Sequence, residues 1–413
     1  MPTSPKLVDR KGTTLYSEEE RQAAMKREIR LGYPGKCSRK QLLAAVRPKP
    51  LRLQEELGQP RPDGWRNRLI SGDNLSVLRG LLDDPAVAGK VTLVYIDPPF
   101  STDQEYRVGA ERTATVSSSA QDVRAYSDHL TESAYLEFLR RRLLLLAELL
   151  SDRGSIYVHI GLKMGHYVKL LLDEILGAEN FVNDIARIKC NPKNFSRRAY
   201  GNVRDMILFY TKKGLPVWNE ARETMTPEDI ARLFPKTDAG GRQYTTTPLH
   251  APGETKNGAT GEEWKGLWPP RGRHWRYDPA ELTRLDEAGL IEWSSTGNPR
   301  KRIYAEEVLR SGKKRQDVWS FKDPAYPSYP TEKSLKLLET IVQTSSDPDD
   351  LVLDCFAGSG TTLVAAEMHG RRWIGIDNSP AAIQAASRRL LAIEDVRAFS
   401  LLQESSGVRA LAT

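Results

Sequence analysis

Two apolar runs, far apart in the chain and each closed by turn-forming residues, constrain this fold most. Val94-Tyr95-Ile96 runs into Asp97-Pro98-Pro99-Phe100, and Leu351-Val352-Leu353 runs into Asp354-Cys355-Phe356-Ala357-Gly358-Ser359-Gly360-Thr361-Thr362. A short apolar run bounded by Pro or Gly reads as a buried strand that ends in a loop. Further strands are predicted at 68–70, 155–160, 206–210 and 373–377. Helical stretches at 75–82, 135–150, 164–176, 333–344 and from Thr361, with one more after Asp377, lie between and around them. Such alternation predicts an α/β fold, a mostly parallel sheet flanked by helices. Ligands of such sheets gather outside the strand ends, so both loops are candidates for one site.

At 413 residues the chain can hold more than one core. We divide it into a basic N-terminal arm (1–64), two α/β stretches (65–212 and 321–396), an irregular insert (213–320) and a tail (397–413). Charged residues make up 28% and no apolar run approaches the length of a membrane span. The N-terminus lacks an apolar signal core, which predicts a cytoplasmic protein. Cys37, Cys190 and Cys355 are scattered among six histidines with no metal-ligand spacing, so no metal is expected.

Charge is distributed unevenly. Residues 187–322 hold 26 Lys/Arg against 17 Asp/Glu and residues 1–64 hold 14 against 8, whereas 65–186 and 323–413 are net acidic. Positive charge thus lies outside the stretches that carry the two loops, a pattern that fits a polyanionic partner. The insert also holds most of the tryptophans, expected mainly as local core, and they are interleaved with Arg271, Arg273, Arg276, Arg300, Lys301, Arg302, Lys313, Lys314 and Arg315. The polar stretch 104–128 reads as a mobile loop.

The loops differ in what they can hold. Gly358 and Gly360 follow a strand and open a helix, so a ligand can approach the backbone closely. Asp377 closes the next strand, near the distance at which an acid can hold ribose hydroxyls. Leu363 stands where a dinucleotide fingerprint has its third glycine, which argues against a nicotinamide oxidoreductase. In Asp97-Pro98-Pro99-Phe100 the prolines fix the backbone and supply no N–H. A carboxylate and a neighbouring carbonyl can then accept both hydrogens of an amine conjugated to a ring. Phe100 is placed to stack on that ring. Placed acceptors of this kind favour a nitrogen whose lone pair can attack. His159 follows an apolar strand and is expected to be a satisfied strand-end histidine, and Cys355 a small packing residue.

With these segments in place the chain resembles the permuted amino-group DNA methyltransferases that use S-adenosylmethionine, with a Rossmann-like domain. Asp97-Pro98-Pro99-Phe100 is similar to their catalytic tetrapeptide and Phe356-x-Gly358-x-Gly360 to their cofactor loop. Leu69-Ile70-Ser71-Gly72-Asp73 resembles the motif whose acid meets the cofactor adenine. Tyr329-Pro330-Thr331-Glu332-Lys333-Ser334 resembles the segment that meets the methionine moiety, and Val203–Tyr210 the late strand near the target base. The resemblance spans 66–212 and 325–393. It implies a cofactor site of Asp73, Thr331, Lys333, Ser334, Asp354, Phe356, Gly358, Gly360, Thr361 and Asp377. It also implies a target-recognition role for the insert, whose nine basic residues above become candidate contacts with double-stranded DNA. Asp at the first tetrapeptide position is typical of adenine-N6 enzymes. Cytosine N4, an RNA base, or a DNA-binding module without turnover stay open. The resemblance allows a homodimer and separate restriction or defence-system subunits.

Overall fold

The computed structural model describes residues 30–99, 105–108, 123–127, 131–191, 198–324, 327 and 332–405. They fall into two compact units. Glu220–Arg315 forms one, and the chain on either side of it forms the other. The insert's boundaries therefore lie a few residues inside 213–320.

The larger unit is built on a ten-stranded sheet. In chain order its strands are β1 (Leu51–Leu57), β2 (Asn67–Ser71), β3 (Val91–Ile96), β4 (Leu150–Ile160), β5 (Phe181–Ile188), β6 (Arg204–Thr211), β7 (Val318–Ser320), β8 (Leu351–Asp354), β9 (Arg372–Asp377) and β10 (Phe399–Glu404). They lie in the order β1-β10-β2-β9-β8-β3-β4-β6-β5-β7. From β10 through β4 all neighbours are parallel, and β6 then runs antiparallel to both β4 and β5. The helices of this unit are α1 (Arg39–Ala45), α2 (Asn74–Leu81), α3 (Glu132–Leu149), α4 (Leu162–Leu176), α5 (Leu335–Ser345), α6 (Thr361–Met368) and α7 (Pro380–Leu391).

The continuous apolar runs follow from this layering, because a parallel sheet covered on both faces needs apolar residues on both. Every residue of β3 is buried. Val94 and Ile96 pack with Leu139, Leu143 and Leu146 of α3 and Leu171 of α4 on one face. Leu93 and Tyr95 pack with Leu338 and Ile341 of α5, Leu363 of α6 and Ala386 of α7 on the other. The period of two along the strand assigns each side chain to its core.

Part of the expected N-terminal arm is built into this unit. Leu42 of α1 is 1% exposed in the first core, and β1 caps the sheet edge by pairing with β10. The expected C-terminal tail supplies β10 itself. The smaller unit has a four-stranded antiparallel sheet over a core of Leu249, Trp264, Trp275, Leu282, Leu285 and Ile291. Its tryptophans divide: Trp264 and Trp275 are buried, while Trp268 and Trp293 are exposed.

Candidate active site

β3 and β8 are adjacent and parallel, with Leu353 beside Val94. Both singled-out loops therefore leave the same edge of the sheet. The chain crosses to opposite faces after these two strands, since α6 follows β8 into one core and α3 follows β3 into the other. That reversal is the switch point at which such sheets open a crevice.

On the β8 side, Asp354 is buried and both of its oxygens are used within its own loop. Phe356 N–H donates to Oδ1 at 2.9 Å and the Thr362 hydroxyl to Oδ2 at 2.6 Å. Burial pushes this carboxyl up to about 7, against those two donors, which pull it down. Asp377 at the end of β9 takes Gly358 N–H on Oδ2 at 2.8 Å and Ser379 N–H on Oδ1 at 2.9 Å. Burial raises its carboxyl as well. Gly358 and Gly360 both lie in the left-handed region, with φ of 52° and 76°. A side chain at Gly358 would meet only the Phe356 carbonyl oxygen at an ordinary 3.9 Å, whereas one at Gly360 would come within 2.8 Å of Ala386 on α7. Gly360 thus sits tight against α7 and Gly358 has room beside it. Thr361 is buried and takes an Arg389 N–H at 2.9 Å.

A second wall comes from β2 and α3. Asp73 caps α2 by accepting from Leu75 N–H at 3.1 Å, and it also takes an Arg142 N–H at 3.1 Å. The Arg142 guanidinium lies 3.6 Å from the centre of the Phe138 ring, and Phe138 stands against Phe356 with 6.1 Å between ring centres. Asp73 and Phe356, distant in sequence, are joined through two α3 residues that sequence reasoning did not single out.

On the β3 side, Pro98 is buried and the Lys333 ammonium pairs with Asp97 Oδ2. Asp97 Oδ1 is buried and has no hydrogen-bond partner among the described residues. Ser334 stands at the N-cap of α5 without a side-chain capping bond. Phe100 and Thr331 lie outside the described residues. Beneath Asp97 is a group that the sequence reading had set aside or not seen. His159 of β4 is fully buried, 3.8 Å from Asp97 Oδ1 and 3.4 Å from Asp205 Oδ2. Lys189 Nζ lies 2.6 Å from Asp205 Oδ1. The available signal was one polar residue at the end of each apolar strand, in Ile96-Asp97, Val158-His159-Ile160 and Asp205-Met206-Ile207.

Matching to family models places residues 91–388 in the DNA methylase family. This chain belongs to that family. Among known members it is 42% identical to the type II methyltransferase M.EcaI of Enterobacter cloacae, over 87% of this chain and 77% of that protein. It is 28% identical to the type III restriction-modification enzyme StyLTI Mod subunit of Salmonella typhimurium, over 72% of this chain and 49% of that one, so the chain spans about half of that subunit. Among solved structures, the cytosine-N4-specific PvuII DNA methyltransferase is 14% identical, with a TM-score of 0.46 over 83% of this chain and 93% of that one.

In the smaller unit the nine basic candidates separate. Lys313 pairs with Asp229 and Glu223, Lys314 with Glu220, and Arg315 with Glu223. Arg302 lies 3.6 Å from Glu292, Arg300 donates twice to Thr246, and Lys301 reaches the Tyr277 hydroxyl. Arg271, Arg273 and Arg276 are exposed. Arg273 faces His250 at 3.1 Å and Arg276 donates to the Pro248 carbonyl, so neither contact is with a carboxylate. Burial first, then Arg273, Arg276 and Arg300, pulls the His250 imidazole down, the electrostatic mark of gathered positive charge. Among the described residues no group of His, Cys, Asp or Glu is arranged to hold a metal, and no helix is long and apolar enough to cross a membrane.

Proposed function

We propose that this DNA methylase transfers a methyl group from S-adenosylmethionine to the exocyclic N6 of adenine at a specific site in duplex DNA. The observation that carries this reading is Asp97 Oδ1, a buried acceptor without a donor among the described residues, at the strand edge shared with the Gly358 loop.

The residues fit the cofactor. Gly358 has room for a close approach, with only the Phe356 carbonyl oxygen at 3.9 Å from where a Cβ would lie, Asp377 adds a carboxylate beside it, and Asp73, Phe356 and the segment around Lys333 and Ser334 supply polar and aromatic contacts. When bound, S-adenosylmethionine supplies a methyl carbon whose bond to sulfur breaks, the electron pair leaving with sulfur, as a nitrogen lone pair takes its place. Asp97 Oδ1 accepts one amine hydrogen and the Pro98 carbonyl the other, which localises the lone pair on nitrogen. Asp97 then receives the proton that the nitrogen loses and passes it to solvent. The Lys333 ammonium on Oδ2 leaves Oδ1 as the acceptor for the substrate.

An adenine inside a duplex cannot reach this depth, so the base must leave the stack at a cost of a few kcal/mol. Phosphate contacts from Arg271, Arg273 and Arg276 are suited to offset it. A nuclease partner fits the restriction-modification naming of the StyLTI relative, and co-purification of this chain from its own cells, with nuclease activity assayed in the eluate, tests it.

The aspartate at position 97 favours adenine over cytosine. Incubation of duplex DNA with labelled S-adenosylmethionine, followed by digestion and chromatography of the nucleosides, is expected to place the label in N6-methyl-2′-deoxyadenosine. Label in N4-methylcytosine would reassign the base while keeping the chemistry. No label in DNA, with label in RNA or in neither, would sink the proposal.

A further inference from the structure

The buried polar unit beneath Asp97 has a geometry that fixes one hydrogen. The Tyr95 hydroxyl lies 2.8 Å from His159 Nδ1, and His159 Nε2 lies 3.4 Å from Asp205 Oδ2. Asp205 is an ionised carboxylate: burial would raise its pKa, but the His159 ring beside it and the Lys189 ammonium, which donates to Oδ1 at 2.6 Å, hold it well below the ordinary carboxylate range. An ionised carboxylate only accepts, and a neutral imidazole carries one N–H. That hydrogen therefore belongs on Nε2, facing Asp205. Nδ1 is left as an acceptor and takes the Tyr95 hydroxyl hydrogen. It also stands 3.8 Å from Asp97 Oδ1, so two acceptors face each other. Asp97 Oδ1 is buried with no hydrogen-bond partner among the described residues.

Resting on the methyl-transfer reading above, we propose that His159 and Asp205 are positioning residues that keep Asp97 Oδ1 open to the target amine by fixing the imidazole tautomer. With the hydrogen held on Nε2, the ring cannot donate to Asp97. In the other tautomer, or as an imidazolium, an Nδ1–H would meet the Tyr95 oxygen at 2.8 Å, displace the Tyr95 hydrogen from the ring and set a positive hydrogen 3.8 Å from the oxygen that the amine needs. Among the described residues, the charged and titratable groups facing the ring include Tyr95 of β3, Asp97 just after it, Asp205 from β6, Arg187 from β5 and Lys333 from the segment before α5. Burial, the largest influence, pulls the imidazole pKa down, and Lys333 and Arg187 act in the same direction, against Asp97 and Asp205. Burial thus favours the neutral ring.

Asp205→Asn tests this. The amide can turn its NH2 toward Nε2, which then accepts, and the ring hydrogen moves to Nδ1, where it meets the Tyr95 oxygen at 2.8 Å and stands beside Asp97 Oδ1 at 3.8 Å. The expected result is a fall in kcat of roughly 10²-fold, short of the ~10⁴ that a wrong tautomer costs a catalytic imidazole base, with unchanged affinity for S-adenosylhomocysteine. Adding His159→Leu to Asp205→Asn removes the misplaced donor and should restore most of the lost rate. Mere structural damage would instead accumulate. The tautomer is read directly from the imidazole 15N shifts, Nε2–H in the wild type and Nδ1–H in Asp205→Asn. A wild-type ring protonated on Nδ1, a wild-type rate in Asp205→Asn, or a double variant no faster than the single one would overturn the inference. A wild type with the Nε2–H ring that methylates no nucleic acid would overturn the reading of the site and leave the tautomer intact.

Discussion

At the residue scale, two aspartates at one strand edge have opposite surroundings and should answer differently to substitution. Asp97 keeps one oxygen without a donor, whereas both oxygens of Asp354 are taken up by their own loop. Asp97→Ala removes the acceptor for the amine and should lower kcat about 10²–10³-fold, the scale for loss of one preorganised polar group at a reacting centre. Cofactor binding should change little, and labelled methyl transfer beside calorimetric titration with S-adenosylhomocysteine would show the split. Equal activity in the two proteins would end the assignment of Asp97. Asp354 is a stability residue with a defined sign. Its carboxyl, raised to about 7, is compared with about 3.9 in the unfolded chain. The folded state therefore binds the extra proton, and its contribution to stability is complete below the unfolded value and lost as pH rises toward 7. Asp354→Asn lacks that titration. The wild type's advantage over this variant should shrink between pH 5 and pH 8, measured as urea midpoints. An advantage independent of pH would contradict the burial argument.

At the scale of elements, the glycine loop separates shape from binding. Both Gly358 and Gly360 occupy the left-handed region, where an alanine costs about 1–2 kcal/mol. At Gly360 the new methyl would also strike Ala386 at 2.8 Å, while at Gly358 it would meet only the Phe356 carbonyl oxygen at an ordinary 3.9 Å. Gly360→Ala should thus lower the melting temperature more than Gly358→Ala, and Gly358→Ala should weaken S-adenosylhomocysteine binding relative to its smaller stability loss. If the two variants lost stability equally, the distinct roles given to the two glycines would be wrong. The central strands were legible because each is a short apolar run, and the helices between them because their apolar positions recur with the helical period. β1 was not legible: its sequence, Leu51 to Leu57, is exposed along most of its length and has no buried alternation to mark it as a strand. It exists because β10 offers a partner edge. The candidate site divides the same way. Asp97 and Gly358 announce themselves through neighbouring prolines and glycines. His159 and Asp205 leave only the faint mark of a polar residue at the end of an apolar strand and Arg142 leaves none, since their meaning lies in partners from other elements that only the sheet order brings near.

At the scale of the whole molecule, net charge alone does not locate a nucleic-acid contact. Lys313, Lys314 and Arg315 make the densest basic run of the insert, yet each meets a carboxylate within its own unit. Exposed pairs contribute little to stability, but a cation already neutralised by an acid has less to gain from a phosphate. Arg271, Arg273 and Arg276 are exposed, gathered near a depressed histidine, and carry the positive potential that the sequence-wide excess suggested. Phosphate neutralisation releases counterions, so each true contact adds about 0.9 to the slope of log K against log salt on duplex DNA. Replacing Arg271, Arg273 and Arg276 together by alanine should weaken DNA binding at low salt and reduce that slope by about 2–3. Replacing Lys313, Lys314 and Arg315 should leave the slope nearly unchanged while loosening the smaller unit, seen as a lower melting temperature. Fluorescence anisotropy across a salt series reads both. The opposite ranking, with the slope falling only in the second set, would mean that those ion pairs open to receive DNA and that the exposed arginines are bystanders.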